Sequence, residues 1–138
     1  MIEVFEWKED FVTGNEQLDN NHKQIFIEMN SLYKMFSDTK KYHDQICEKI
    51  INLKALIIGH CYKENELLEK YNISEKEKHI QAHTEIIKSC TDLDNYNLPP
   101  VISGLLLCDI IINYFLDHFY KYDKKFILEL NQKIRLVS

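Results

Sequence analysis

The sequence predicts an all-α fold: an antiparallel up-down-up-down four-helix bundle with an N-terminal arm. The 138 residues include only three glycines and two prolines, which is little material for the tight turns of a sandwich or barrel. Apolar residues recur at steps of three and four along four stretches, and this is the period of a helix. Short connections between long helices make neighbouring helices antiparallel. We expect a single domain over residues 1–138, with an arm of about 1–18 and a bundle of about 19–133.

The arm and the first helix follow from aromatic and apolar residues. Three aromatic side chains make the arm too apolar for a free tail, so we expect it to pack on the bundle: Phe5, Trp7 and Phe11. The first helix is expected to begin near Asp19, a residue type favoured at N-caps. It runs to about Phe36, and its apolar positions have helical spacing: Ile25, Met29, Leu32 and Phe36.

Three further helices are expected after two short connections and a Pro-Pro break. Their expected spans are about 42–70, about 74–90, and from residue 100 to beyond 123. Ser74 can cap the third helix while Glu77 reaches back to it, which is the capping-box pattern. Pro100 suits the first turn of the fourth helix, where its missing N–H costs nothing.

Composition excludes several classes of partner and location. The net charge of −5 argues against binding to nucleic acid or to an anionic membrane surface. We find no 18-residue apolar run, so no membrane span is expected. The N-terminus MIEVFEWKEDF is acidic and lacks the apolar core of a signal peptide. Four cysteines are scattered without a CxxC pair, a pattern typical of reduced thiols in a cytoplasmic protein.

Polar residues that continue the four apolar stripes converge at one end of the predicted bundle. They lie early in the first helix, late in the second, early in the third and late in the fourth, and in an antiparallel bundle these positions share one level. The set comprises five of the six histidines and two carboxylates: His22, His60, Glu64, His79, His83, His118 and Asp123. The sixth, His43, lies at the opposite end and is expected on the surface.

A metal centre explains this convergence better than a hydrogen-bonded histidine core does. One inward histidine is more often a satisfied core residue than a ligand, and one HxxxE or HxxxH motif is weak evidence. Seven buried polar groups without partners, however, would cost several kcal/mol each. Imidazole and carboxylate both bind cations. Seven ligands are too many for one tetrahedral zinc, so we predict a pair of octahedral-type ions.

The fourth helix presents a spacing that a regular α-helix does not satisfy. His118 and Asp123 are five residues apart, which at 100° per residue places them about 140° apart around the axis. For both to face one site, the helix must widen into a π-type turn or the side chains must reach further. Asp117, beside His118, is the rival carboxylate, but it points further from the site.

The motifs, taken in order, resemble the hemerythrin family in its single-domain bacterial form. They are W…TG…LD..H (Trp7, Thr13, Gly14, Leu18, Asp19 and His22), HxxxE (His60 and Glu64), HxxxH (His79 and His83) and HxxxxD (His118 and Asp123). The resemblance covers essentially the whole chain. It implies two non-haem iron ions joined by an oxo or hydroxo bridge. One iron would be held by His79, His83 and His118, the other by His22 and His60, with Glu64 and Asp123 bridging.

The resemblance also implies an O₂ pocket beside the second iron, which is one ligand short. The residues expected there are Ile25, Cys61, Tyr114, Phe115 and Phe119. Several depart from the family pattern: Cys61 replaces a common Phe, Tyr114 and Phe115 replace Trp-Leu, and Phe119 replaces Ile. We hypothesise that Cys61 leaves space beside the O₂ position. The alternative is that Phe115 or Phe119 fills that space, or that Cys61 turns outward and has no effect on it.

The resemblance implies reversible O₂ binding, as a carrier, store, scavenger or sensor, rather than an enzyme. A di-iron enzyme or detoxifier acting on O₂, peroxide or nitric oxide is the alternative, and an iron-holding bundle is the third. Oxygen-activating di-iron bundles tend to use four carboxylates with Glu-x-x-His motifs. The sequence contains no Glu-x-x-His, and histidine outnumbers carboxylate in the predicted site. Binding is therefore favoured over oxygenation.

Overall fold

A computed structural model describes residues 5–137, so residues 1–4 of the predicted arm and residue 138 lie outside the described range. A short 3₁₀ turn at Glu9–Phe11 precedes the helices α1 (Glu16–Met35), α2 (His43–Lys70) and α3 (Lys76–Asp92). The fourth long helix is continuous and has three parts: α4 (Pro100–Asn113), a π-helical segment (Tyr114–Asp123) and α5 (Lys124–Val137). Residues 5–137 contain no strand. The prediction of an all-α four-helix bundle is confirmed.

The four long helices enclose two apolar clusters. Helix α1 packs against α2 and α4, and α3 packs against α2 and α4. The larger cluster fills the bundle from Leu32 and Leu53 to Phe115 and Phe119. The smaller cluster closes the end where α1 begins and α2 ends: Leu18, Leu68, Ile73, Phe126, Ile127 and Leu130. Between these clusters the helices present buried polar side chains instead of apolar ones.

The N-terminal arm packs on the bundle, as predicted. Phe11 is fully buried, and its ring centroid lies 5.2 Å from that of Phe115 and 5.3 Å from that of Phe119. Phe5 and Trp7 pack on the same aromatic group. The arm therefore covers the outer side of the large apolar cluster next to the fourth helix.

Asp19 does not cap α1, and this prediction is wrong. The helix begins three residues earlier, at Glu16, and the side chain of Asn15 accepts a hydrogen bond from the Leu18 N–H at 3.1 Å. The Asp19 carboxylate turns back to the arm and accepts hydrogen bonds from Thr13 N–H, Thr13 Oγ1 and Gly14 N–H. Gly14 has φ +84°, a conformation that suits glycine. Asp19 therefore anchors the arm to the helix.

The predicted capping box of the third helix is also wrong. Helix α3 begins at Lys76, after Glu75 in the left-handed region with φ 60°, and no side chain caps it. The Ser74 N–H instead donates to the Glu129 carboxylate of α5. The partner comes from a helix far away in sequence, which local capping rules do not include. Pro100 occupies the first turn of α4 as predicted.

The fourth helix widens where the sequence required it to. The π-helical segment Tyr114–Asp123 contains both His118 and Asp123, and both side chains are buried. Asp117 is exposed. Of the two alternatives predicted, the structure has the π-type turn, which directs two residues five positions apart towards the same interior.

The fourth helix also has the length and composition of a membrane span. Between Pro100 and Leu136, an 18-residue window has a mean hydropathy of 1.6, and 33% of it is buried. The expectation that no stretch is long and apolar enough is therefore corrected for this helix. A core helix of a bundle passes the same test, so the observation is weak evidence for a membrane.

Replacing Asp19 with Ala should destabilise the protein by about 1–3 kcal/mol, because two backbone N–H groups and a hydroxyl of the arm lose their acceptor. Urea unfolding followed by circular dichroism measures this. Glu66→Ala, on the exposed side of α2, is the matched control and should change stability by less than about 0.5 kcal/mol. Equal effects of the two substitutions would contradict an anchoring role for Asp19.

Candidate metal centre

All seven residues predicted to bind metal lie together in the core, between the two apolar clusters. Each of them is at most 5% exposed: His22, His60, Glu64, His79, His83, His118 and Asp123. Helices α1, α2 and α3 and the π-helical segment each contribute at least one of them. The sixth histidine, His43, lies at the start of α2 with an exposed side chain. That these residues bind metal remains a prediction.

The side chains form two potential ligand sets that share both carboxylates. In each set, one candidate ligand atom per residue lies within 4.8 Å of every other. The first set, with three imidazoles, is His79, His83, His118, Glu64 and Asp123. The second set, with two imidazoles, is His22, His60, Glu64 and Asp123. This division matches the one implied by the resemblance.

Glu64 directs one oxygen towards each set. Its Oε1 lies 3.1 Å from His83 Nε2, in the first set. Its Oε2 lies 3.1 Å from His60 Nε2 and 3.5 Å from His22 Nε2, in the second. A carboxylate that faces two groups of nitrogen donors with separate oxygens has the orientation of a bridging ligand.

Asp123 is oriented in the same way. Its Oδ1 lies 2.9 Å from His79 Nε2 and 3.0 Å from His118 Nε2, in the first set. Its Oδ2 lies 3.3 Å from His22 Nε2, in the second. The two carboxylates therefore approach the same two positions from α2 and from the π-helical segment.

Several of these atoms lack a hydrogen-bond partner although they are buried. Both Glu64 oxygens, His83 Nε2 and His118 Nε2 make no hydrogen bond. Buried polar groups are normally satisfied, and an unsatisfied one costs about 1–3 kcal/mol. These atoms belong to the two groups whose candidate ligand atoms lie within 4.8 Å of one another. Cations among them would satisfy all of them, so the donor set fits a metal site.

Asn65 orients His83 and was not predicted from the sequence. The His83 Nδ1–H donates to Asn65 Oδ1 at 2.6 Å, which leaves Nε2 to face Glu64. Such a hydrogen bond fixes the tautomer and ring orientation of a metal-binding histidine. The sequence signal is weak: Asn65 directly follows Glu64, but its position against α3 is a tertiary contact.

Burial and mutual contacts shift the pKa values within the site. Burial alone would raise the pKa of Glu64 and Asp123, but neighbouring imidazoles outweigh it and hold both values well below their usual range. Burial disfavours the charged form of His22, yet its contacts with Asp123 and Glu64 raise its pKa to about 9. Burial lowers the pKa of His83. The metal-free site therefore holds two carboxylates that are partly neutralised by imidazolium.

The hydroxyl of Tyr114 contacts the second ligand set, in addition to the place of Tyr114 in the wall of a pocket. It donates a short hydrogen bond to Asp123 Oδ2. It also lies 3.0 Å from His22 Nε2 and 3.3 Å from His60 Nε2. Burial and the two carboxylates raise the pKa of Tyr114 well above its ordinary value. Without metal, the side chain is therefore a neutral phenol.

The residues predicted to form an O₂ pocket occupy two different places. Ile25 and Tyr114 line an enclosed cavity of about 10 Å³ that His60 also reaches; its other walls are Ile57, Ile86, Ile110 and Ile111. Cys61, Phe115 and Phe119 do not line it and are fully buried in the large apolar cluster. The Phe119 ring lies 5.4 Å from that of His22. The position of these residues is described here, and their role towards O₂ remains a prediction.

A groove of about 290 Å³ between α3 and the fourth helix leads from the surface to the site. Tyr114, His118 and Tyr122 line it together with residues of α3. Tyr122 stacks on His79, with ring centroids 5.4 Å apart and planes 25° apart. The first ligand set is thus covered by one aromatic ring on its solvent side.

Comparison with known proteins agrees with the geometry. The chain is 24% identical over 131 residues to the bacteriohemerythrin of Clostridium acetobutylicum, a match that covers 90% of this chain and 99% of that protein. The chain is homologous to the hemerythrins. The hemerythrin-like protein of Naegleria gruberi is 24% identical over 89 residues, 64% of this chain and 68% of that protein. No family model matches the chain. The resemblance to hemerythrins read from the motifs is confirmed.

The stability of the metal-free protein should fall on both sides of slightly acidic pH. The raised pKa of His22 contributes stability below pH 6.5 that is lost as the pH rises through about 9. The lowered pKa values of Glu64 and Asp123 contribute stability above about pH 4.5 that is lost on acidification. The lowered pKa of His83 adds to the acid loss from pH 6.5 downwards.

Urea unfolding of chelator-treated protein across this pH range measures the loss of stability at acid pH and the loss at alkaline pH. His22→Gln should remove the loss between pH 6.5 and about 9, which we expect to be up to about 3 kcal/mol in the parent. It should keep only part of the acid loss, because His22 also helps to lower the pKa values of Glu64 and Asp123. If the variant still lost stability between pH 6.5 and about 9, another group would be the cause of that loss.

Proposed function

We propose that the chain is a non-haem di-iron protein that binds O₂ reversibly in its ferrous state. The observation that supports this most directly is the pair of shared carboxylates, each with one oxygen towards three imidazoles and one towards two. Homology to hemerythrins and the buried unsatisfied donors support the same assignment. Iron, the oxo or hydroxo bridge and O₂ are parts of this proposal.

The two ligand sets have different tasks in this proposal. His79, His83 and His118 would hold one iron with both carboxylates, which leaves little room for an external ligand. His22 and His60 would hold the other with the same carboxylates and one fewer imidazole, so this is where O₂ would enter. When bound, the iron pair supplies the electrons that O₂ needs for reversible binding. The protein makes the two iron positions different, because it would give three imidazoles to one and two to the other.

The surroundings of the second set suit a ligand of small size and low polarity. The cavity of about 10 Å³ beside His60 is at the lower limit for one water-sized molecule, and its walls are mostly isoleucine side chains. Phe119 covers His22 from another side. An apolar wall keeps water and its protons away from a bound gas, which favours release over irreversible oxidation of the centre.

A redox reaction of the same centre is the second candidate. Tyr114 places an ionisable hydroxyl against the second set, and the groove along α3 gives solvent a route to that residue. Either feature would help a di-iron enzyme or detoxifier that acts on O₂, peroxide or nitric oxide. Binding is proposed first because imidazoles outnumber carboxylates in the site, as in a carrier rather than an oxygenase.

Location and partners are proposed on more general grounds. All four cysteines are unpaired, and three of them are buried, as suits a reducing compartment such as the cytoplasm. The net charge of −5 disfavours nucleic acid as a partner. O₂ is the partner that the site itself suggests.

Protein loaded with ferrous iron under anaerobic conditions should bind two irons per chain. Asp123→Asn should lose at least one of them, because it weakens a ligand shared by both sets. Asp117→Asn is the matched control, because it removes an exposed carboxylate from the same helical segment. This variant should keep two irons per chain. Iron analysis after gel filtration measures this. A single zinc, or equal iron in both variants, would contradict the assignment.

Reversible O₂ binding has a direct optical test. Reduced, iron-loaded protein should develop visible absorption when air is admitted, and the absorption should vanish when oxygen is removed, over several cycles. The alternative functions have a different signature. A single irreversible change to the ferric spectrum, with consumption of O₂ or peroxide, would contradict carriage and support a redox enzyme or an iron-holding protein.

A further inference from the structure

Tyr114 is the only side chain in the described part of the chain whose hydroxyl oxygen reaches the second ligand set. Its Oη lies 3.0 Å from His22 Nε2 and 3.3 Å from His60 Nε2, and it donates to Asp123 Oδ2. The side chain is 5% exposed. One oxygen atom thus touches three of the four residues that make up this set.

These distances are those of neighbouring ligands around one ion. In an octahedral site with bonds of about 2.1 Å, adjacent donor atoms lie about 3 Å apart. The two imidazole nitrogens lie near that distance from Tyr114 Oη, while Asp123 Oδ2 accepts its hydrogen bond. A buried phenol whose only need was a hydrogen bond would be satisfied by Asp123 alone.

The helix and the neighbouring rings hold this oxygen in place. Tyr114 is the first residue of the π-helical segment, and its ring stacks on His118, with centroids 4.9 Å apart and planes 23° apart. The stacked imidazole belongs to the first set, so the phenol ring lies over one set while its hydroxyl enters the other. The arrangement leaves the ring little freedom to move the hydroxyl elsewhere.

We propose that Tyr114 is a further ligand of the second set and binds ferric iron through its phenolate oxygen. The proposal rests on the di-iron assignment made above and adds a donor to it. On binding, the O–H bond of Tyr114 breaks, the oxygen keeps the electron pair and donates it to the ion, and the proton leaves to solvent. No electron is transferred in this step.

The bond depends on the oxidation state of the iron. Ferric iron is a hard cation that binds phenolate tightly, whereas ferrous iron does so weakly. In the ferrous state Tyr114 therefore remains a neutral phenol that donates to Asp123. In the ferric state it occupies the position that an external ligand would otherwise take. Tyr114 then acts as a cap that closes the second set after oxidation.

The test is the visible spectrum of air-oxidised, iron-loaded protein. Phenolate bound to ferric iron absorbs in the visible, and resonance Raman excitation in that band shows tyrosine ring vibrations. We expect both in the parent protein, with a Raman shift when ring-deuterated tyrosine is incorporated. Tyr114→Phe should lose the band and keep two irons, because all seven other ligands remain.

Tyr122→Phe is the matched control. Tyr122 also stacks on site histidines, but it lines the surface groove, so its variant should keep the band. Parent protein with two irons and no tyrosinate vibrations would overturn the proposal and leave the di-iron assignment standing. A band that survives in Tyr114→Phe would also overturn it. Protein that binds no iron would overturn both, and iron analysis separates these outcomes.

Discussion

The structure depends on placing two carboxylates and five imidazoles at one level inside an apolar bundle. Glu64 and Asp123 are fully buried, and their nearest charged neighbours are histidines. Removing such charges from water costs several kcal/mol each unless they are paired. The helices meet this requirement by directing imidazoles from α1, α2, α3 and the π-helical segment at both carboxylates.

Two parts of the fourth helix, the π-helical segment and α5, contribute to this alignment. Its ten-residue π-helical segment turns His118 and Asp123 towards the same interior, because i→i+5 hydrogen bonding replaces the α-helical pattern there. Helix α5 then continues beyond the site and supplies Phe126, Ile127 and Leu130 to the small apolar cluster. This cluster closes the end of the bundle below the carboxylates, so the polar level is enclosed by apolar side chains on both sides. The same extension places Glu129 beside Ser74, which fixes the turn that leads into His79.

The features predicted correctly from the sequence follow from the periodicity of apolar and polar residues. The features that were missed depend on tertiary contacts. Steps of three and four predicted the helices and placed seven polar residues at one level. The five-residue step from His118 to Asp123 predicted either a π-type turn or side chains that reach further, and the structure has the π-helical segment. The roles of Asp19 and Ser74 were predicted wrongly because capping rules consider only local partners, whereas their actual partners lie in the arm and in α5. Asn65 and the Tyr114 hydroxyl were missed for the same reason: each acts across an interface between helices.

In the proposed di-iron centre, the position of Tyr114 would limit how tightly any external ligand can bind to the second set. A ligand at that position must coexist with a hydroxyl that already contacts His22, His60 and Asp123. Its apparent affinity is the intrinsic affinity multiplied by the fraction of molecules in which the hydroxyl leaves the position open. To open the position, a neutral phenol must give up its hydrogen bond to Asp123 and its contacts with His22 and His60. A phenolate bound to the ion, as proposed, must break that bond as well. The oxidation state of the centre would therefore set its affinity for a gas through one side chain, without a change in the bundle.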